Sequence, residues 1–237
     1  MSTLARIAVP LAFVTACAAL AASAAERRET RPVSGFTSVA LAAPIKLQLT
    51  QGDSEGLVLE GEEAALADLE TVVEQGVLKI RTRSRFGTAG MSKVRGSLNV
   101  KAIDALRISG SGDIGAAALR AAQLKLAISG SGDIRIGAIE AANVDVSVSG
   151  SGDVVIGGKA DAVSTSIAGS GDVKAGKLEA RQAKVSIAGS GDATLWAKDS
   201  LDVKIVGSGD VRYYGDPSLK KTIAGSGSVR RVGATPS

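Results

Sequence analysis

Histidine is absent from this chain and cysteine occurs once. Zinc sites of the His/Cys kind, Ser-His-Asp hydrolysis and haem ligation therefore have no residues to run on. Aromatic residues are scarce too, at 3%. Few rings are available to stack bases, and 28 basic residues against 24 acidic ones leave little net charge, so nucleic acid is not expected as a partner. What the chain does have is aliphatic: 45% of its 237 residues are hydrophobic, enough for one or two domains with a core and unlike a disordered tail.

The first residues are set apart from the fold. Residues 1–6 carry one positive charge, residues 7–20 are apolar, and Ala22-Ser23-Ala24 puts small residues where a signal peptidase reads. Residues 1–24 are thus read as a signal peptide, and the charged run Glu26-Arg27-Arg28-Glu29 argues against a retained membrane anchor. The alternative is a lipobox at Val14-Thr15-Ala16-Cys17, with Cys17 lipidated; the apolar residues that follow Cys17 speak against it. The expected location is the periplasm or outer cell envelope. Cleavage after residue 24 leaves no cysteine, so the mature chain must be stable without disulfides and is expected to hold no transmembrane segment.

Self-similarity is the main signal. Gly-Ser-Gly-Asp recurs with its first glycine at 110, 130, 150, 169, 189 and 207, and a seventh copy at Gly225 ends in Ser228. Repeats of about 20 residues predict a solenoid whose units bury their apolar faces by stacking. Two residues before each motif stands an aliphatic column, Ile108, Ile128, Val148, Ile167, Ile187, Ile205 and Ile223. One residue after it stands another, Ile114, Ile134, Val154, Val173, Ala193, Val211 and Val229. Alternation continues outward through Arg135, Lys174, Thr194 and Arg212 and inward through Ile136, Ile156, Leu195 and Tyr213, a strand pattern on both sides of each corner. About 20 residues rising roughly 3.3 Å each give a contour near ~65 Å, enough for a two- or three-sided coil. The expected fold is all-β: a right-handed parallel β-helix of about seven rungs at residues 101–230, after a β-rich part with one short helix at 31–100, with a tail at 231–237.

The corners admit two chemistries. The glycines (Gly110 and Gly112, Gly130 and Gly132, Gly150 and Gly152, Gly169 and Gly171, Gly189 and Gly191, Gly207 and Gly209) permit a sharp bend. Asp113, Asp133, Asp153, Asp172, Asp192 and Asp210 then cap backbone N–H groups there. Alternatively the six carboxylates collect Ca²⁺. Charges about 5 Å apart repel by about 1 kcal/mol in water, and backbone N–H groups can compensate this without metal. Calcium-type repeats carry Gly-Gly-x-Gly-x-Asp every nine residues, whereas the motif here comes once per 18 to 20, so capping is the favoured reading and no metal or cofactor is expected.

Before the repeats, residues 36–41, 45–50 and 57–60 alternate like strands, residues 62–69 look helical, and Gly76 introduces a strand at 77–82. Gly35-Phe36, Gln51-Gly52-Asp53, Gly76-Val77-Leu78-Lys79-Ile80 and the iterated Gly-Ser-Gly-Asp, in that order, resemble the head GIN domain family of bacterial envelope proteins labelled auto-transporter adhesins. The resemblance covers about residues 31–230 and implies a β-helical fold and export, without a ligand or a catalytic site. No auto-transporter barrel is expected after Arg230-Arg231-Val232-Gly233, so periplasmic residence is as well supported as display on the surface.

Other candidate sites are few. Arg81, Arg83, Arg85, Lys93 and Arg95 surround Phe86-Gly87-Thr88-Ala89-Gly90, which reads as a flexible loop. Arg81, Arg83 and Arg85 are placed on one strand face, either as an anion contact or as a solvated edge that resists aggregation, the latter favoured. Trp196, Tyr213 and Tyr214 either form a carbohydrate platform or, as favoured, fill the core and cap the C-terminal end. Two functional classes result: a non-catalytic adhesin-like or scaffold module with an envelope or extracellular partner, protein or glycan, and a polysaccharide-degrading enzyme. Identical carboxylates on every rung argue against the enzyme, because a catalytic pair needs asymmetric surroundings that drive two pKa values apart.

Overall fold

The computed structural model describes residues 26–84 and 90–236. The leader with Cys17, and Arg85, lie outside the described residues. The N-terminal part contains β1 (Glu26–Arg31), β2 (Ser38–Ala42), β3 (Lys46–Gln51), β4 (Gly56–Glu62), α1 (Glu63–Asp68), β5 (Leu69–Glu74), β6 (Val77–Thr82), β7 (Arg95–Val100) and β8 (Ala105–Gly110). The repeats form β9 (Asp113–Gly130), β10 (Ile134–Gly150), β11 (Val154–Gly169), β12 (Val173–Gly189) and β13 (Ala193–Gly207), then β14 (Val211–Tyr214), β15 (Ser218–Gly225) and β16 (Val229–Gly233). The expected all-β class holds, with 72% of the described residues in strands.

Each repeat from β9 to β13 runs as one long strand from corner to corner, paired in parallel with the next. Ile134 lies beside Ile114 and Val154, and Val148 beside Ile128 and Ile167. The alternation of buried and exposed residues breaks between corners at Ala117–Ala118 and Ala122–Gln123, and again at 137–138 and 142–143, where consecutive residues face solvent. A strand that keeps its apolar residues inward must turn at such pairs, so the rung has three short sides. The coil makes about six turns where seven were expected. Seven corner motifs delimit six intervals.

Parallel stacking also reaches into the N-terminal part. Leu41 of β2 lies between Ile108 of β8 and Ile80 of β6, which extends the inner column beyond the repeats. On the next side β3 pairs with both β9 and β7 in parallel. The outer layer is antiparallel: β4 lies against β7, β5 against β6, and β1 against β4. α1 joins β4 to β5 and buries Ala65 and Leu66, so this end of the coil is covered. β1, β5 and β7 were not predicted from sequence. β1 is charged at five of its six positions, and β7 follows the glycine-containing segment at 86–90 that reads as loop.

The core is aliphatic and nearly free of polar groups. Its one buried polar residue among those described, Thr165, stands in register between Val146 and Val185, and its hydroxyl has no hydrogen-bond partner. Desolvating an unpaired hydroxyl is unfavourable, and valine has nearly the same shape. Thr165→Val is therefore expected to stabilise the protein by about 1 kcal/mol, a rise of about 2–4 °C in Tm by differential scanning calorimetry.

Candidate functional site

The corners interlock through their backbones. Gly110 O accepts the N–H groups of Ser131 (2.9 Å) and Gly132 (3.1 Å), and Gly130 O accepts those of Ser151 and Gly152 in the same way. The first glycine of each motif has positive φ, from 106° at Gly110 to 136° at Gly189, a conformation that disfavours any other residue.

The aspartates continue the interlock. The N–H of Asp153 donates to Asp133 Oδ1 (3.0 Å), Asp172 to Asp153 (3.1 Å), Asp192 to Asp172 (3.0 Å) and Asp210 to Asp192 (2.8 Å). Ser228 ends the chain of caps, donating both its N–H and its hydroxyl to Asp210 Oδ1, each at 2.9 Å. The second carboxylate oxygens meet cations: Arg135 lies 2.8 Å from Asp133 Oδ2, and Lys174 lies 3.1 Å from Asp153 Oδ2 and 3.6 Å from Asp172 Oδ2. Lys174 is held protonated above its ordinary range, first by the hydrogen bond to Asp153. Asp113 differs from the rest. Its own N–H donates to Ile45 O, and its register partner toward the N-terminus is Lys46 in place of an acid. Among the described residues no group of three or more acidic or sulfur ligands is placed to hold a metal ion.

Asp210 has its carboxyl held below the usual range, chiefly by the Ser228 hydroxyl, then by the Ser228 N–H, with Arg212 and Arg230 adding to it. A depressed carboxylate stabilises the fold above its unfolded-state pKa, and this contribution is lost as pH falls through the folded value. The stability gap between the protein and Ser228→Ala is expected to be constant near neutral pH and to close as pH drops below about 4. Urea midpoints measured across that range check this.

The described members of the basic group, Arg81, Arg83, Lys93 and Arg95, stand on or beside several elements. Arg81 sits on β6 and is paired with Glu70 across the sheet at 2.7 Å, which lowers the Glu70 pKa and raises that of Arg81. Lys93 lies 3.6 Å from Glu62. Arg83 is beyond the end of β6, at the rim of a depression shared with Arg27, Arg28, Arg31 and two glutamates. Arg95 begins β7, beside Lys46. The cations are thus divided among separate elements, most with an acidic neighbour.

One concave surface was not anticipated from the sequence. It is an open groove of about 930 Å³ on the second side of the coil. Ala118, Ala121, Ala138, Ala141 and Ala160 supply a low apolar floor, and Arg120, Glu140, Lys159, Asp161, Glu179 and Arg181 stand along it. Here one rung is a residue shorter than its neighbours. Gly158 occupies the position of Ile139 and Leu178, contributes no side chain, and lies in positive φ at 113°. One outward column reads Arg120, Glu140, Lys159, Glu179, Trp196 and Tyr214 in register, so the signs alternate and two half-buried aromatic rings follow. Tyr213 packs against the core in the column of Leu195, as favoured from sequence, while Trp196 and Tyr214 keep part of their surface in solvent. The signal for the groove was present only as alanine pairs at a 20-residue spacing, which read equally well as ordinary strand.

The shifts at Glu70, Glu74, Arg81, Lys174 and Asp210 are each explained by an adjacent ion pair or hydroxyl. No described helix is long and apolar enough to cross a membrane.

Comparison with known proteins agrees with this architecture. A crystal structure from Bacteroides fragilis NCTC 9343, described as a "putative adhesin", superposes with a TM-score of 0.83 at 21% identity, over 89% of this chain and 98% of that one. Another from Parabacteroides distasonis ATCC 8503, described as a "putative lipid binding protein", has a TM-score of 0.70 at 27% identity, over 87% of this chain and 96% of the other. A "putative adhesin" from Parabacteroides merdae ATCC 43184 gives 0.70 at 19% identity, over 87% and 96%. No curated protein matches the chain. Residues 35–217 match the family described as "Putative auto-transporter adhesin, head GIN domain", and the chain belongs to that family.

Proposed function

We propose that this protein is an exported, non-catalytic binding module of the cell envelope, which holds a protein or glycan partner along the groove at Arg120, Glu140, Lys159 and Glu179. The carrying observation is the groove itself: a concave surface with an alanine floor and charges of alternating sign, beyond which Trp196 and Tyr214 follow Glu179 in register. Such a surface offers contact area, hydrogen-bonding groups and rings for stacking, without two carboxylates in contrasting surroundings. Export is supported by the leader pattern at residues 1–24 and by the adhesin description of the family. Residues 31–230 act as one binding unit, in which the corner glycines and aspartates hold the shape. The apolar floor also suits a lipid chain, a reading favoured by the name of the Parabacteroides distasonis relative.

The test uses the purified mature chain and isolated envelope fractions, with phospholipid vesicles as a separate arm. The triple variant Arg120→Gln, Lys159→Gln, Trp196→Ala is expected to lose binding, and the variant with Arg81, Arg83 and Arg85 changed to Gln to keep it. Loss confined to the second variant, sensitive to salt, would move the contact to the basic cluster. Release of reducing ends from a polysaccharide panel would refute the non-catalytic reading.

A further inference from the structure

The two ends of the coil differ. At the N-terminal end α1 and antiparallel strands cover the stack, whereas β15 and β16 pair on one side only, with β13 and β14. Their outer N–H and C=O groups have the spacing of a strand awaiting a neighbour. The corner repeats this. Gly207 O accepts the N–H groups of Ser226 (3.0 Å) and Gly227 (3.2 Å), and Gly225 O is the equivalent acceptor one rung further on.

The inner face of this last rung is mixed in character. Leu219 and Ile223 continue columns that are buried one rung earlier as Leu201 and Ile205, yet Ile223 is 37% exposed. Between them Lys221 stands in the column of Val203, and Arg231 stands in the column of Tyr213. From Asp216 onward the sequence has no further acidic residue, but it has Lys220, Lys221, Arg230 and Arg231. Only Arg231 has an acidic neighbour within 4 Å among the described residues, Asp216 at 3.8 Å.

We propose that this end docks an acidic, extended segment of a partner protein as one further strand of the coil. Strand addition supplies the missing backbone bonds, and alternate side chains supply selectivity. The inner positions Leu219, Lys221 and Ile223 require an apolar–x–acidic–x–apolar segment, a pattern that reads the same in either strand direction. A second copy meeting this end with its own end would set the same cations against each other; inward-pointing charge is one way native edges avoid such self-pairing. A membrane surface matches the cations but not the row of backbone donors and acceptors.

The test is fluorescence anisotropy of two labelled peptides, Ser-Val-Ser-Asp-Ser-Val-Ser and its Lys-centred counterpart, with the mature chain. The acidic peptide is expected to bind about tenfold or more tightly than the other. Lys221→Glu is expected to reverse the preference, and Lys221→Gln to abolish it, while the groove triple variant binds as the parent does. Amide hydrogen exchange should show new protection in β15 when the acidic peptide is bound. Absence of peptide binding, equal binding of both peptides, or an unchanged preference in Lys221→Glu overturns the proposal. Binding only to anionic phosphatidylglycerol vesicles, lost in Lys221→Glu, overturns it in favour of a membrane contact.

Discussion

Gly152→Ala is expected to cost about 3 kcal/mol or more and to lower Tm by roughly 10 °C, if the chain still folds cooperatively. Gly152 does not have positive φ, so conformational freedom is not the reason. A Cβ built there falls inside the van der Waals shell of the Gly132 carbonyl oxygen and 2.8 Å from Ile128 Cγ2. The first obstacle is backbone tied to the preceding rung by the Gly132 N–H bond to Gly110 O, and the second is a buried side chain of the inner column. Relief requires the rungs to separate at the corner, which breaks the stacking on which each rung depends. Two comparisons isolate the cause. Gly110→Ala meets nothing within 4 Å but sits at φ 106°, so it is expected to pay only the backbone strain, about 1–2 kcal/mol. Gly52→Ala has neither problem and is expected to be nearly neutral. Equal losses for Gly110→Ala and Gly152→Ala would refute close approach as the governing factor. Thermal and urea unfolding of the three variants measure it.

Ile167→Ala carries the second large effect, a loss of about 2–5 kcal/mol. Ile167 is 1% exposed and lies between Val148 and Ile187 in the inner column, with rungs on both sides unable to close the space it leaves. The same change at Ile223, on the last rung, is expected to cost about 1 kcal/mol or less, because solvent already reaches that position and no closed cavity forms. In a stack where each rung touches only its neighbours, a central lesion also weakens coupling between the halves. Unfolding of Ile167→Ala is therefore expected to be broader than that of the parent, with a lower urea m-value per transition. If Ile167→Ala and Ile223→Ala cost the same, the inner column does not depend on its stacked neighbours in the way the structure implies.

The repeated corner and the two aliphatic columns were legible in the sequence because both are local. A motif that recurs about every 20 residues puts Ile108 through Ile223 in line whatever else the chain does, and period-2 alternation shows which side faces inward. The N-terminal part was less legible. Its β2 and β6 join the same inner column through Leu41 and Ile80, but no corner motif marks them, and their pairing is settled by segments far apart in the chain. What the spacing of the basic residues could not show is their partner: Arg81 and Arg83 both lie near Glu70, which arrives from β5 to pair with Arg81, although β6 ends at Thr82.

By itself, then, the sequence determined an all-β stacked coil, the inward columns, and the corners that need glycine and a capping carboxylate, since each follows from short-range periodicity and the chemistry of a few residues. Only the tertiary structure decided that the carboxylates from Asp133 to Asp210 cap the next rung's N–H, that the alanine pairs line a groove, and that one end is covered while the other presents Lys221 and Arg231 beside exposed aliphatics. These depend on register between rungs and on which strand lies outermost. Neither is encoded within any one repeat.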